Sequence, residues 1–166
     1  MSCARSIRSL FILTLVVLSI AACSPSKNRV GGMLNLDTDL KLTFEVDSDI
    51  NPDENNRPSP VFVRFYQLKS PTAFNKADFI DLYERDEELL GADIVSRQTL
   101  KPIAPGEVRT ERFVLEKGVN QIALYAEFFQ YRGSNYKVIV PVTENNIIRN
   151  AVTVKISGTS ISIAKK

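Results

Sequence analysis

From Leu34 to Val46 apolar and polar residues alternate almost without a break. Leu34, Leu36, Leu40, Leu42, Phe44 and Val46 are interleaved with Asn35, Asp37, Asp39, Lys41, Thr43, Glu45 and Asp47, and only Thr38 interrupts the apolar series. A period of two is that of a β-strand with one face buried and the other wet. The same alternation returns in Val61, Val63 and Phe65 of segment 61–68, in Ile122, Leu124, Ala126 and Phe128, and in Tyr136, Val138, Val140 and Val142. It returns again in Val152, Val154 and Ile156, and in Ile161 and Ile163. Strands are expected near 34–46, 61–68, 97–103, 107–115, 120–130, 135–142, 150–157 and 159–164. Pro105-Gly106, Lys117-Gly118, Arg132-Gly133-Ser134, Glu144-Asn145-Asn146 and Ser157-Gly158 supply turn chemistry between the later ones. Eight strands at short spacing point to a mainly β fold, a two-sheet antiparallel β-sandwich over residues 34–166.

Two stretches break the pattern. Residues 47–60 form a polar segment with three prolines, longer than a hairpin needs. Residues 70–91 read as a small helical insert between the second and third strands, one helix or two short ones. Asn75 can cap it, with Asp78 three residues on, Phe74 and Phe79 fall at the positions of a hydrophobic staple, and Gly91 is a stop. Leu82, Tyr83, Leu89 and Leu90 supply its apolar stripe.

The N-terminus has its own logic. Arg5 and Arg8 precede an apolar run from Leu10 to Ala22, and Ala21-Ala22 lead directly into Cys23. A cationic start, a short apolar run and a small-residue exit make a secretory signal over residues 1–22. As a helix the run reaches only about 20 Å, short of a bilayer core of about 30 Å. Ile20-Ala21-Ala22-Cys23 resembles the lipobox of bacterial lipoproteins, in which the peptidase cuts before a cysteine that then carries lipid. Cys3 lies in the discarded signal, so lipidation accounts for an otherwise unpaired cysteine in an exported chain. One acyl chain holds a protein to a membrane marginally and two or more hold it firmly. The covalent acyl and diacylglycerol groups on Cys23 would therefore anchor the chain. Ser24, rather than an aspartate, follows the cysteine and points to the outer membrane. Residues 23–33, with Pro25 and the Gly31-Gly32 pair, read as a lipid-anchored tether reaching roughly 17 Å on average and about 35 Å stretched.

Composition narrows the chemistry. Removing Arg5 and Arg8 with the signal leaves 19 basic against 19 acidic residues, so no global charge argues for nucleic acid or an anionic membrane surface. The chain has no histidine, which removes Ser-His-Asp and Cys-His catalysis, His-ligated zinc and histidine pH switching. Carboxylate pairs do occur, Asp78 with Asp81 and Glu84 with Glu88, but a solvated helix face accounts for them. Asp47–Glu54 fails as a calcium loop because Ile50 and Pro52 interrupt it and its glycine is missing. No cofactor, metal or small-molecule substrate is expected. Phe128, Phe129, Tyr131 and Tyr136 cluster around a turn, which suits cross-strand packing.

Arg57-Pro58-Ser59-Pro60-Val61, Val63-Arg64-Phe65-Tyr66-Gln67-Leu68, Phe74, Ala77-Asp78-Phe79, Leu82-Tyr83 and Leu89-Leu90 follow one another in an order and spacing that resembles TssJ, the outer-membrane lipoprotein family of type VI secretion systems. The Cys23 lipobox and Pro105-Gly106 before the fourth strand fit as well. The resemblance implies a transthyretin-like sandwich with a helical insert and no catalysis. It implies an outer-membrane anchor facing the periplasm, and binding to the periplasmic C-terminal region of the inner-membrane protein TssM. In that family the loop between the first two strands carries much of the contact. Here that lands on Asp47, Asp49, Ile50, Asn51, Asp53, Glu54, Asn55, Asn56 and Arg57. Two other classes compete: an outer-membrane sandwich that binds a small lipid or hydrophobic ligand, and a carboxylate hydrolase. If consecutive strands run antiparallel, the loops after strands one, three, five and seven share one end, with the helical insert at or near the other. The acidic loop would then project away from the outer membrane. Five carboxylates, Glu45, Asp47, Asp49, Asp53 and Glu54, would face only Arg57.

Overall fold

The computed structural model describes residues 38–142 and 150–164. The signal, Cys23, the tether, Leu34, Leu36 and the Glu144-Asn145-Asn146 turn lie outside the described residues. The elements are β1 (Thr38–Val46), β2 (Phe62–Leu68), α1 (Thr72–Lys76), α2 (Phe79–Leu90), a 3-10 turn (Gly91–Asp93), β3 (Ile94–Thr99), β4 (Val108–Leu115), β5 (Gln121–Glu127), β6 (Lys137–Pro141), β7 (Asn150–Ser157) and β8 (Ser160–Ile163). They build two four-stranded sheets, ordered β4-β1-β7-β8 and β3-β2-β5-β6. The expected sandwich is present, with the helical insert between β2 and β3.

One pairing departs from a purely antiparallel arrangement. β1 pairs β4 antiparallel but β7 parallel, with Leu42 opposite Val152 and Phe44 opposite Val154. Chain direction reverses at every connection, so odd-numbered strands run the same way. When the fold sets β1 beside β7, the ladder between them is necessarily parallel.

The alternation in the sequence becomes a division of faces. Leu40, Leu42, Phe44, Val63, Phe65, Ile122, Leu124, Val154 and Ile156 are fully buried between the sheets, and Phe65 stacks on Phe113 at 4.1 Å. The outer face of the first sheet stays wet. Lys41 and Glu45 are exposed there, and the Thr43 and Thr110 hydroxyls meet at 3.0 Å. The edge strand β4 turns Arg109 and Glu111 to the same side as Phe113, 3.0 Å apart from each other. Inward-pointing charges of this kind discourage edge-to-edge pairing.

The second sheet is covered on both faces. Its outer side carries Tyr66, Leu68, Ala123 and Tyr125 into a second core with Phe74, Phe79, Leu82 and Leu90 of the insert. The insert is two helices. Ala77 has extended backbone (φ −64°, ψ 140°) and separates them. The cap of α2 is Asp78, whose Oδ1 accepts from the Asp81 N–H at 2.8 Å, and the Asn75 expected as cap lies inside α1. A cap needs extended backbone and a free side-chain oxygen three residues before the N–H that it serves. Asp78 meets both conditions once Ala77 breaks the chain. Gly91 ends α2 as expected, at a positive φ of 44° that a side chain would strain.

β3 begins at Ile94, earlier than the expected 97. The 3-10 turn delivers the chain straight to β2, where Lys69 N–H bonds the Asp93 carbonyl. The regular ladder stops before Lys101-Pro102, because proline has no N–H to give. Ile103 nonetheless regains an isolated bridge to Val61.

Candidate functional site at the loop end of the sandwich

The connections after β1, β3, β5 and β7 do meet at one end, and hydrogen bonds between them fix the meeting. The Asp47 N–H donates to the Ile156 carbonyl at 2.9 Å, Gly106 N–H to the Asp47 carbonyl at 3.1 Å, and Asn51 N–H to the Gly158 carbonyl at 2.8 Å. Asn135 N–H donates to the Thr159 carbonyl at 3.1 Å.

Within the long β1–β2 loop, two of the nine residues singled out from the sequence are structural. Ile50 is fully buried, and Asn51 is 1% exposed. Asn51 Nδ2 donates to the Pro60 carbonyl, and its Oδ1 accepts from the Phe129 N–H, each at 2.8 Å. It therefore ties the loop to its own return and to the β5–β6 turn. Its φ of 48° lies in the left-handed region that asparagine tolerates better than most residues.

The tip of the loop is a closed turn. Asp53 Oδ1 accepts from the Asn55 and Arg57 N–H groups, and Oδ2 accepts from the Arg57 side chain at 2.8 Å. The Arg57 backbone N–H, then its guanidinium, hold the Asp53 carboxyl below the usual carboxylate range. Asp47 is also held down, by the Ser157 hydroxyl first and by Lys155, whose Nζ lies 3.4 Å away. The expectation that the acidic loop faces only Arg57 is thus corrected. Two of its carboxylates are partnered, and Asp49, Glu54, Asn55, Asn56 and Arg57 form the exposed surface.

The helical insert also lies differently from expectation. It leaves β2 at the opposite end but runs along the outer face of the second sheet and reaches the loop end. Lys137 Nζ, at the start of β6, donates to the carbonyls of Phe74, Asn75 and Ala77 at 3.1, 2.8 and 2.6 Å. This closes the end of α1 with a cation, where the helix dipole favours one. Phe79 stacks on Tyr131 at 4.4 Å and meets Tyr136 edge-on at 5.2 Å. The insert covers a face, because the second sheet's outer apolar residues require cover.

Sequence reasoning missed the group that pins the insert. Arg64 lies mid-strand on β2, 8% exposed, beneath α2. Its Nε donates to Glu127 Oε1 at 2.6 Å and Nη1 to Asp86 Oδ2 at 3.1 Å. The helix breaks at Arg85 (φ −144°, ψ 37°). The Leu82 and Tyr83 carbonyls facing that break accept from Arg64 at 2.9 and 3.2 Å, while the Glu87 N–H turns to Asp86 Oδ1. Tyr66 Oη at 2.6 Å and Arg97 Nε at 2.7 Å complete the partners of Asp86. Burial pushes the Asp86 carboxyl up, but the Tyr66 and Arg64 hydrogen bonds and the Arg97 charge outweigh it, so the group stays low. Burial and Asp86 together push the Tyr66 phenol up. The available signal was an arginine between Phe62 and Tyr66 in a strand whose partner helix carries an aspartate at mid-length.

Charge is thus spent on structure. Asp78 caps, Asp81 pairs with Arg85 at 2.6 Å, and Asp86 is buried beneath its partners. Among the described residues no three His, Cys, Asp or Glu side chains gather as a metal site.

A family model described as type VI secretion lipoprotein (VasD, EvfM, TssJ) matches residues 38–159. No curated protein sequence matches the chain. Among solved structures, the T6SS lipoprotein TssJ1 from Pseudomonas aeruginosa superposes with a TM-score of 0.71 at 22% identity, covering 78% of this chain and 97% of that one. Lip from Serratia marcescens, described as a membrane-bound component of the type VI secretion system, gives 0.70 at 19% identity, over 78% and 98% of the two chains. A chain from the structure described as the T6SS protein TssM C-terminal domain (869–1107) from EAEC gives 0.63 at 21% identity, over 77% and 98%.

Proposed function

The chain belongs to the type VI secretion lipoprotein family, and from that premise we propose that it ties the secretion apparatus to the outer membrane by docking the periplasmic C-terminal region of TssM. It is a membrane-complex lipoprotein rather than an enzyme. Lipid on Cys23 is the anchor, and the loop end is the docking surface. One observation carries the reading: four loops are cross-bonded into a single rigid end, at the opposite pole from the start of β1, where the tether joins. A pre-organised surface spends little binding energy on ordering itself. It exposes Asp49, Glu54, Asn55, Asn56 and Arg57. The alternative of a small-lipid carrier gains nothing from the interior between the sheets, which Leu40, Leu42, Phe44, Phe65 and Leu124 fill.

Replacing the whole loop would also remove Ile50 and Asn51, which the end needs for its own structure. The cleaner experiment reverses the two exposed carboxylates, Asp49→Lys with Glu54→Lys. Binding of the detergent-solubilised chain to the TssM C-terminal region should weaken about tenfold or more, with an unchanged melting temperature, as loss of charge complementarity at a rim predicts. Wild-type affinity in the double variant would place the docking surface elsewhere.

A further inference from the structure

Beside the loop end lies an open groove of about 420 Å³ between the first turns of α2 and the β5–β6 turn. Seven large apolar side chains are exposed among the described residues, and four of them, Phe62, Ile80, Tyr83 and Phe129, line this one groove. Scattered exposed apolar residues need no explanation, but a contiguous set does.

The fold builds the groove from three directions. Register places Phe62 opposite Glu127, so both rise from the outer face of the second sheet where α2 no longer covers it. Ile80 and Tyr83, three apart, form one wall from the same side of the helix. Phe129 and Tyr131 form the other. The Phe129 N–H is held by Asn51, and Tyr131 is stacked on Phe79 with ring planes 13° apart. The backbone at Phe129 and the Tyr131 ring are thus held before anything binds.

The floor has a charge. Glu127 Oε1 takes the Arg64 Nε–H, and among the described hydrogen bonds its second oxygen has no partner. Arg64 is shared with Asp86, and Arg97 with Asp86 and Glu87. Among the described residues two guanidiniums therefore serve three carboxylates; Glu87 is largely exposed to solvent, and Glu127 shares its one cation with Asp86. No lysine or arginine among the described residues lines the groove.

We propose that the groove receives an arginine side chain from a segment of the protein docked at the neighbouring loop end. A guanidinium is the cation that both stacks on aromatic faces and forks onto a carboxylate. Phe62 and Phe129 offer the faces and Glu127 the carboxylate, while Tyr83 already carries the Arg64 guanidinium 5.5 Å from its ring centre and serves as wall. Asn51 and Pro60 belong to the long loop and to the groove wall at once, so the two surfaces are continuous. The inference rests on the docking function proposed above and gives that interface its anchor, since buried arginines in central pockets carry much of the energy of such contacts.

The test measures affinity between the detergent-solubilised full chain and the TssM C-terminal region. Phe129→Ala and Phe62→Ala should each weaken binding about tenfold, the size expected of an anchor contact. Phe129 is 67% exposed, so removing its ring should leave the melting temperature unchanged. Glu127→Gln should weaken binding and flatten its salt dependence. In an arginine-to-alanine scan of the partner, one substitution should cost nothing further once Glu127→Gln is present. Wild-type affinity in both aromatic variants, or full additivity of every partner arginine with Glu127→Gln, overturns the groove while leaving the docking function standing. A wild-type chain that fails to bind the TssM region overturns the docking function itself. Native mass spectrometry that finds a lipid retained by wild type and lost from Phe129→Ala overturns the arginine in favour of a small apolar ligand.

Discussion

Asp86→Ala tests what holds the helical insert on the sandwich. The Asp86 carboxylate is 5% exposed and accepts from Arg64, Tyr66 and Arg97 at 3.1, 2.6 and 2.7 Å. Removing one partner of a buried ion pair costs about 3–5 kcal/mol, because the other charge is left without compensation. Arg64 keeps Glu127 at 2.6 Å, which places the expected loss near the lower end, about 3 kcal/mol. That is a large part of a domain stability of about 5–15 kcal/mol. For a domain of this size it corresponds to a fall in melting temperature of roughly 10–15 °C. Tyr66→Phe removes one hydrogen bond to a charged group and should cost about 1.5–3 kcal/mol. Asp81→Ala, which breaks the exposed Asp81–Arg85 pair, should leave the melting temperature within the reproducibility of the scan. The pH dependence follows from the depressed Asp86 value. Its folded-state value lies below the ordinary 3.8, so its contribution is full above that value and is lost as pH falls through the folded one. The gap between wild type and Asp86→Asn should therefore be constant near neutrality and close in acid. Differential scanning calorimetry across pH measures both effects. If Asp86→Ala melts within 2 °C of wild type, the network is not what fastens the insert.

Leu42→Asp or Phe44→Asp should abolish folding, since an unpaired charge on the fully buried face costs several kcal/mol, while Lys41→Ser and Thr43→Ser should be tolerated. Circular dichroism and thermal melts compare the two pairs, and similar stabilities would mean that the faces are reversed. Asn51→Ala leaves the Phe129 N–H and the Pro60 carbonyl without their side-chain partner and should cost about 2–4 kcal/mol, with faster amide exchange at Phe129. Unchanged exchange at Phe129 would show that the β5–β6 turn is held by something else. Cys23→Ala should yield a folded chain lost from the membrane fraction, and a variant that still floats with outer membranes would show that the lipid is not the anchor.

The strands were legible because period two and burial are one fact seen twice. Where a face must be dry, as at Leu40, Leu42 and Phe44, every second residue declares it. The turn glycines were legible for the same local reason, and Gly106 and Gly118 sit at φ of 73° and 83°. What could not be read depends on partners distant in sequence. The burial of Asn51 is set by Phe129, 78 residues away, and by the Gly158 carbonyl. Its polarity and its place in a polar loop gave the opposite impression. The roles of Arg64 and Asp86 emerge only once the insert is laid across the sheet. Local pattern marks Asp86 as one more carboxylate on a solvated helix. The cap of α2 was missed for a subtler reason. Asn75 and Asp78 both suit the role, and the backbone at Ala77 decides between them.

The central place of β1 has a mechanical meaning. In the proposed arrangement a pull from the anchor enters at the start of β1 and is resisted at the loop end, where the chain entering β4 and the chain leaving β7 are bonded to the β1–β2 loop. It loads the ladders to β4 and to β7 in shear, with pairing from Thr38 to Glu45 on one side and from Leu40 to Val46 on the other. Shear strains all the rungs of both ladders together, whereas a pull across the strand would open them one at a time. In single-molecule stretching, handles at residues 38 and 108, at opposite ends of the β1–β4 ladder, should require a higher rupture force than handles at residues 150 and 163. The latter pair lies at one end of the β7–β8 hairpin and peels its ladder open from there.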